Sequence, residues 1–186
     1  MDRPLTNTEF FTYEGEVWYR DDVCEIKQLR ETDTKVIDEL LEHVATFYPK
    51  AYAALIEEYK ACALNRPYCK FRMATRFIRC NFAQLDNIPD FTGARRCNFE
   101  YVQCPLRGEC RCAHIICRPE FDHKLSAAEM RVLRLWYEGY AEEDIAAQLY
   151  LSQYTVHNHI RNAYQRLDIH SKSEFAKYAA AHNLFT

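Results

Sequence analysis

The sequence predicts a mainly α protein in two parts. A mixed α+β, cysteine-rich N-terminal domain (1–122) precedes a C-terminal four-helix domain (123–186). Three observations carry this division. All nine cysteines lie at or before Cys117. The composition changes across Arg118-Pro-Glu-Phe-Asp-His-Lys124, where Pro119 disfavours a helix running through. From Leu125 onward, apolar residues recur at helical spacing behind serine caps. A length of 186 residues suits two small domains.

The 48% hydrophobic fraction is enough to build cores, and the 27% charged fraction is ordinary for a folded chain. Only four glycines are present, and neither a GxGxxG loop nor a Walker motif occurs, which removes the common phosphate-cradling sites. The net charge of −3 gives no global attraction to nucleic acid, so any such interaction rests on a local patch. The first twenty residues carry Glu9, Glu14 and Glu16 and no long apolar run. Neither a secretory signal nor a membrane span is therefore expected, and the expected location is cytoplasmic. In that compartment clustered cysteines point to metal binding or buried thiols rather than disulfides, and the odd count agrees.

Within the N-terminal part, aromatic runs on either side of Gly15 (Phe10, Phe11, Tyr13; Val17, Trp18, Tyr19) suit a β-hairpin or an extended arm. Asp33 is placed to cap a helix from Thr34 to about Tyr48, with Val36, Ile37, Leu40, Leu41, Val44 and Phe47 on its apolar face. Pro49 suits the start of a second helix reaching about Ala63, with Tyr52, Leu55, Ile56 and Tyr59 on one face. The two read as a packed helix hairpin. Lys60, Arg66, Lys70, Arg72, Arg76 and Arg79 then follow without an intervening acid. They read as a solvated strand or loop face, or as a patch contacting a nucleic-acid backbone. Residues 97–103 alternate like a short strand.

In the C-terminal part, Ser126-Ala-Ala-Glu129 is a capping box. Behind it Met130, Val132, Leu133, Leu135, Trp136 and Tyr137 form an apolar stripe, and Gly139 is placed to end the helix. A second helix, about Glu142 to Leu149, buries Ile145, Ala146 and Leu149, and its acidic first turn suits the helix dipole. Ser152 caps a third helix to about Leu167, with Val156, Ile160, Ala163, Tyr164 and Leu167 inward. Ser171-Lys-Ser-Glu174 opens a fourth, with Phe175, Tyr178, Ala179 and Leu184. Two short helices joined by a tight turn, with supporting helices, describe a helix-turn-helix.

The residues Leu125-Ser126, Glu129, Val132-Leu133, Gly139, Glu143-Asp144-Ile145-Ala146, Leu149, Leu151-Ser152, Thr155-Val156, His159, Asn162, Leu167 and Ile169 resemble the LuxR-type (GerE-like) DNA-binding domain of bacterial regulators. The resemblance covers about a third of the chain in one register. It implies double-stranded DNA as partner, with the helix about 152–167 in the major groove. It places His157, Asn158 and Arg161 toward base edges; an Asn can pair with adenine and an Arg with guanine. Gln153, Tyr154 and Thr155 stand at the helix start, where amide and hydroxyl groups hold phosphates. Arg166 and Lys172 would add backbone charge. Residues 152–167 hold two arginines, two histidines and no acid.

This chain departs from the family pattern at three positions. His157 replaces a common Lys, Ala141 a Ser or Thr cap, and Asp168 a Gly. His159 reads as a packing residue in preference to a base contact. By analogy the last helix (Phe175, Tyr178, Ala179) forms a homodimer on two half-sites; its apolar side could equally close the four-helix core. RNA polymerase is a further partner to expect of such a regulator.

The cysteine cluster holds Cys104-x5-Cys110-x6-Cys117, with Cys112 inside and Cys97 upstream. Cys104-Pro-Leu-Arg-Gly-Glu-Cys110 reads as a metal knuckle, because Pro and Gly let the backbone turn tightly. Together with Cys80-Asn-Phe, Asn98-Phe-Glu and Cys117-Arg-Pro, it resembles the cysteine-bearing half of small LuxR-type regulators from Bacteroides-like bacteria and their mobile elements. That resemblance nominates Cys80, Cys104, Cys110 and Cys117 as ligands, with Cys97, Cys112 and His114 as substitutes. The expected cofactor is a structural zinc ion. An iron–sulfur cluster or thiol redox sensor, and simple buried thiols, are the alternatives. Cys24, Cys62 and Cys69 read as packed or surface thiols.

No GxSxG, HExxH or paired-acid motif accompanies the cysteines, and thiols that share a metal are poor nucleophiles, so no enzyme is expected. A sequence-specific transcriptional regulator is the function these observations predict. A sigma-like factor or a metal- or redox-responsive regulator is the alternative. A sigma-like factor needs an upstream helical domain for melting DNA, and residues 1–120 are instead cysteine-rich and partly strand-like.

Overall fold

A computed structural model describes residues 5–86, 88–91, 97–181 and 184–185. The chain divides into two compact units, Met1–Asp122 and His123–Thr186. Among the described residues, no helix is long and apolar enough to cross a membrane.

The first unit opens with an antiparallel sheet of three strands: β1 (Glu9–Tyr13), β2 (Glu16–Arg20) and β3 (Ile26–Gln28), in that spatial order. Glu14 (φ +50°) and Gly15 (φ +78°) make the two-residue turn between β1 and β2. Positive φ at both positions is the left-handed turn that matches strand twist, and glycine takes it without strain. Alternation places Phe10, Val17 and Tyr19 inward. The end pair Glu9 and Arg20 forms a cross-strand ion pair.

Three helices follow: α1 (Thr34–Phe47), α2 (Pro49–Glu58) and α3 (Arg66–Asn81). In α1, Val36, Ile37, Leu40, Leu41 and Val44 are buried at the expected spacing, while Phe47 is half-buried. Asp33 precedes α1 but makes no side-chain cap. Its carboxylate accepts instead from the backbone N–H of Arg30 at 2.7 Å. Pro49 stands at the first turn of α2, where its missing N–H costs nothing.

α2 ends five residues earlier than the sequence predicts. A 3-10 turn at Lys60–Cys62 intervenes, and Asn65 caps the next helix just before Pro67. Pro67 cannot continue a preceding helix, so the chain breaks ahead of it. Ile56, expected on the buried face, lies within α2 and is 49% exposed.

The basic run is also corrected. Most of it belongs to α3, an amphipathic helix that buries Met73, Ala74, Phe77 and Ile78, and not to a strand or loop. Its cations are largely used within the unit. Lys70 pairs with Asp38 at 2.7 Å, Arg72 donates to the Tyr68 hydroxyl at 2.8 Å, and Arg79 bonds the carbonyl of Gly15.

Residues 97–103 form no strand. Their amides are taken elsewhere: Cys97 N–H by the Tyr48 hydroxyl at 3.1 Å, Asn98 N–H by the Asp90 carbonyl and Glu100 N–H by the Asn81 carbonyl, both at 3.0 Å. With these donors engaged, no neighbouring strand is needed to satisfy them. Sheet and helices meet on an aromatic core, in which Phe82 lies 5.8 Å from Phe91 and 5.7 Å from Phe99, ring to ring. Each such ring removed from water contributes about 1.5–3 kcal/mol.

The second unit contains α4 (Ala127–Tyr137), α5 (Glu142–Leu149), α6 (Gln153–Leu167) and α7 (Lys172–Ala181). Val132, Leu133, Ile145, Val156, Ile160, Ala163, Leu167 and Phe175 fill its core. The Ser126–Glu129 capping box is complete. Gly139 (φ +101°) ends α4; its own N–H reaches the Trp136 carbonyl, and Tyr140 N–H reaches that of Leu135. This left-handed stop satisfies carbonyls that the helix end leaves open. Asp168 closes α6 in the same conformation, φ +57°, so the replacement of glycine is accommodated.

Candidate functional site

α5, the turn at Tyr150–Ser152 and α6 form the helix-turn-helix. The turn reverses at Tyr150, which is left-handed (φ +55°) and 96% exposed. Leu151 N–H reaches back to the Ala146 carbonyl at 2.9 Å. Ser152 then caps α6: its hydroxyl accepts from Thr155 N–H at 3.0 Å. The stripe Val156, Ile160, Ala163 and Leu167 holds α6 against the core, which turns its polar side outward.

On that outward side Gln153, Tyr154, His157 and Arg161 are exposed, and Thr155 and Asn158 are half-buried. Two of them touch the acidic first turn of α5. Gln153 Nε2 donates to Glu143 at 3.3 Å, and His157 Nδ1 lies 3.3 Å from Glu142. The amide oxygen of Asn158 is buried without a hydrogen-bond partner among the described residues. Bidentate pairing with a base therefore requires this side chain to turn outward.

The two cations expected on a nucleic-acid backbone have contacts inside the unit. Arg166 donates to the carboxylate of Glu129, the buried member of the α4 capping box. Lys172 Nζ stands 3.7 Å above the Trp136 ring, and Trp136 donates to the Tyr164 hydroxyl at 2.9 Å. Both residues hold the bundle together. Burial alone would raise the Glu129 pKa, but hydrogen bonds from Ser126 and the Arg166 charge outweigh it and hold the carboxyl below its ordinary range. His159 is half-buried.

In the last helix, Phe175 and Ala179 are buried, and Tyr178 is half-buried with its hydroxyl 3.2 Å from His123 Nδ1. Phe175 packs on Tyr164 at 5.6 Å between ring centroids. Of the two uses open to these side chains, the structure shows closure of the unit's own core.

In the first unit, four cysteines line one cavity of about 150 Å³: Cys80 from α3 and Cys104, Cys110 and Cys117 from the following turns. Arg107, His114 and Arg118 share its wall. The segment is a chain of tight turns. Arg107 N–H reaches the Cys104 carbonyl at 3.1 Å, Cys110 N–H that of Leu106 at 2.9 Å, and Ile116 N–H that of Cys112 at 3.0 Å. Gly108 (φ +92°) lies in the turn from Leu106 to Cys110 and takes its left-handed conformation without strain.

Buried Asn81 joins the segment to α3. Its Nδ2 donates to the carbonyls of Phe77 and Ile116, each at 2.9 Å, and its Oδ1 accepts from Arg118 N–H at 2.7 Å. That clamp fixes the backbone on both sides of Cys117, which shares the cavity with Cys80. Burial, the adjacent Cys117 and the nearby Cys104 push the Cys80 thiol up to about 12.

The substitutes separate. Cys97 Sγ lies 3.5 Å from His43 Nε2, and Cys112 Sγ lies 3.8 Å from the Glu58 carboxylate; neither lines the cavity, whereas His114 does. Cys62 and Cys69 both point at the Tyr59 carbonyl, at 3.0 and 3.5 Å, and Cys24 is exposed. Among the described residues, no three His, Cys, Asp or Glu side chains already converge as a metal-holding group. The four cysteines surround a common space without meeting at a point.

Two features at these sites escape the sequence reading. One is Arg76, whose Nη2 lies 3.4 Å from Cys110 Sγ; its spacing of four from Cys80 puts both on one face of a helix and would have paired them. The other is Asn81, whose clamp depends on long-range contacts that no local pattern announces.

The fold and the outward face of α6 define a helix-turn-helix domain. Residues 123–179 match the model of the bacterial regulatory proteins, luxR family. Fimbriae Z protein of Salmonella typhimurium (strain LT2) is 40% identical over 63 residues, which is 34% of this chain and 30% of that protein. The chain thus spans about 30% of the length of this curated relative. No solved structure matches it.

Proposed function

We propose that the protein is a sequence-specific, double-stranded-DNA-binding transcriptional regulator that works in the cytoplasm. α6 enters the major groove. Gln153, Tyr154 and Thr155 hold phosphates at its start, and His157, Asn158 and Arg161 read bases. The observation that carries this reading is the outward face of α6: polar, without an acid of its own, and held rigidly by a luxR-family core. Glu142 and Glu143 hold His157 and Gln153 in place before DNA arrives and give them up to it. Arg166 and Lys172 act indirectly, by fixing α6 and α7.

A pair of chains on two half-sites about 34 Å apart belongs to the same reading. Because Phe175 and Ala179 are buried, the contact would use the outward residues of α7, such as Ala176 and Lys177. RNA polymerase is the further partner. The cysteine-rich unit is stapled by a structural metal and presents the reader domain. Titration of labelled duplex with the full chain at several salt concentrations tests the reading. Binding that weakens linearly in log–log form as salt rises is expected, and no binding at low salt overturns it.

A further inference from the structure

We propose that Cys80, Cys104, Cys110 and Cys117 bind one Zn²⁺ as a tetrathiolate, with Arg76 as the half-buried cation that offsets its charge. This deepens, and rests on, the reading of the first unit as a metal-stapled domain; it is independent of DNA binding.

Three observations converge on it. The four sulfurs line one cavity, brought together from α3 and from three successive turns. The Asn81 clamp fixes the backbone on both sides of Cys117 and joins it to the end of α3, which carries Cys80. Tetrahedral zinc takes four thiolates at about 2.3 Å, the number of thiols this cavity supplies.

The third observation is Arg76. Its Nε is buried with no hydrogen-bond partner, and its Nη2 has only the Cys110 sulfur at 3.4 Å. No carboxylate pairs with it among the described residues. A guanidinium partly withdrawn from water favours an opposing charge beside it, and four neutral thiols do not supply one. Binding converts four thiols and Zn²⁺ into a complex of charge −2 and releases four protons to solvent. The guanidinium then has its counter-charge, and the metal has the outer partner that thiolate sites use.

The test begins with metal analysis of the purified full chain. About one zinc per chain is expected. It should be lost in Cys80→Ser, Cys104→Ser, Cys110→Ser and Cys117→Ser, and kept in Cys97→Ser, Cys112→Ser and His114→Ala. Because a ligand variant could fail to fold, the wild-type chain is also stripped and titrated with Co²⁺. The visible bands of tetrahedral cobalt, with intense thiolate-to-metal charge transfer, are expected at one equivalent. Arg76→Met should weaken zinc binding about 10–100-fold in chelator competition, and Arg76→Lys should restore most of it.

Folded, metal-free wild type that takes up no Co²⁺ overturns the proposal. So does iron with inorganic sulfide in place of zinc, or loss of metal in the Cys112 or His114 variants. Every readout is made without DNA, so failure here leaves the DNA reading standing, and failure of DNA binding leaves the zinc site standing.

Discussion

Arg166, in the last turn of α6, donates to the carboxylate of Glu129 in the first turn of α4. The same carboxylate accepts from the backbone N–H and the hydroxyl of Ser126, both at 2.8 Å. One buried acid thus caps the first helix of the second unit and anchors the far end of α6, the helix proposed to enter DNA.

Glu129→Gln should therefore cost the second unit about 1–2 kcal/mol, by weakening the cap and the ion pair together. The pH dependence has a definite sign. The folded carboxyl sits below its ordinary range, so its contribution is complete above that range and is lost as pH falls through it. Chemical denaturation of wild type and variant at neutral pH and near pH 3 checks this; the gap between them should close in acid. Arg166→Ala should lower stability while leaving the salt slope of DNA binding nearly unchanged, unlike a phosphate-contacting residue.

Asn81 makes three side-chain hydrogen bonds from a fully buried position. Asn81→Ala leaves the Ile116 carbonyl buried without its partner and removes the acceptor of the Arg118 N–H. A loss of at least about 2 kcal/mol is expected in denaturant melts of the first unit, together with weakened zinc binding. Asn81→Asp keeps the acceptor for Arg118 but buries a carboxylate oxygen against the Phe77 and Ile116 carbonyls, so at neutral pH it should be at least as destabilising.

Asp90 is 1% exposed and accepts from Phe10 N–H at 2.6 Å. Burial, reinforced by the nearby Glu100, Glu9 and Asp86, pushes its carboxyl up to about 9. The unfolded chain releases this proton near pH 4. Between those limits the folded state holds the extra proton, so stability falls as pH rises. Asp90→Asn keeps an acceptor for Phe10 and removes the titration. Its denaturation midpoint should match wild type at about pH 4 and exceed it at about pH 8.

Tyr150 adopts φ +55°, ψ +43° with its ring almost wholly in solvent. A left-handed non-glycine residue costs about 1–2 kcal/mol, and Asn tolerates that region better. Tyr150→Asn should raise the stability of the second unit by about 0.5–1 kcal/mol, whereas Tyr150→Val should lower it. Thermal melts of the full chain read both.

The reader domain was legible in the sequence because its signals are local. Serine caps, a left-handed stop at Gly139 and helix-period stripes each act within a few residues, and the family resemblance adds register. The hairpin about Gly15 and the helices from Thr34 and Pro49 were legible for the same reason. The segment 66–81 was not. Its apolar residues are diluted by arginines, and only packing against α1 and the sheet reveals which face is inward. Residues 97–103 alternate like a strand but spend their amides on Tyr48, Asp90 and Asn81. The cysteines could be nominated from the sequence, but the common cavity depends on the Asn81 clamp. The contacts of Arg166 and Lys172 with Glu129 and Trp136 were equally hidden, since surface charge in a sequence carries no address.

The central claim is that the outward face of α6 reads bases in duplex DNA, and Arg161 tests it most directly. Sequences bound from a random duplex pool should be compared between wild type and Arg161→Ala. The account predicts that wild type enriches a defined motif. It also predicts that Arg161→Ala relaxes the preference at one base position, at a cost of about 1–3 kcal/mol there, and leaves the other positions unchanged. An identical motif from the two proteins, or no enrichment by either, would contradict it.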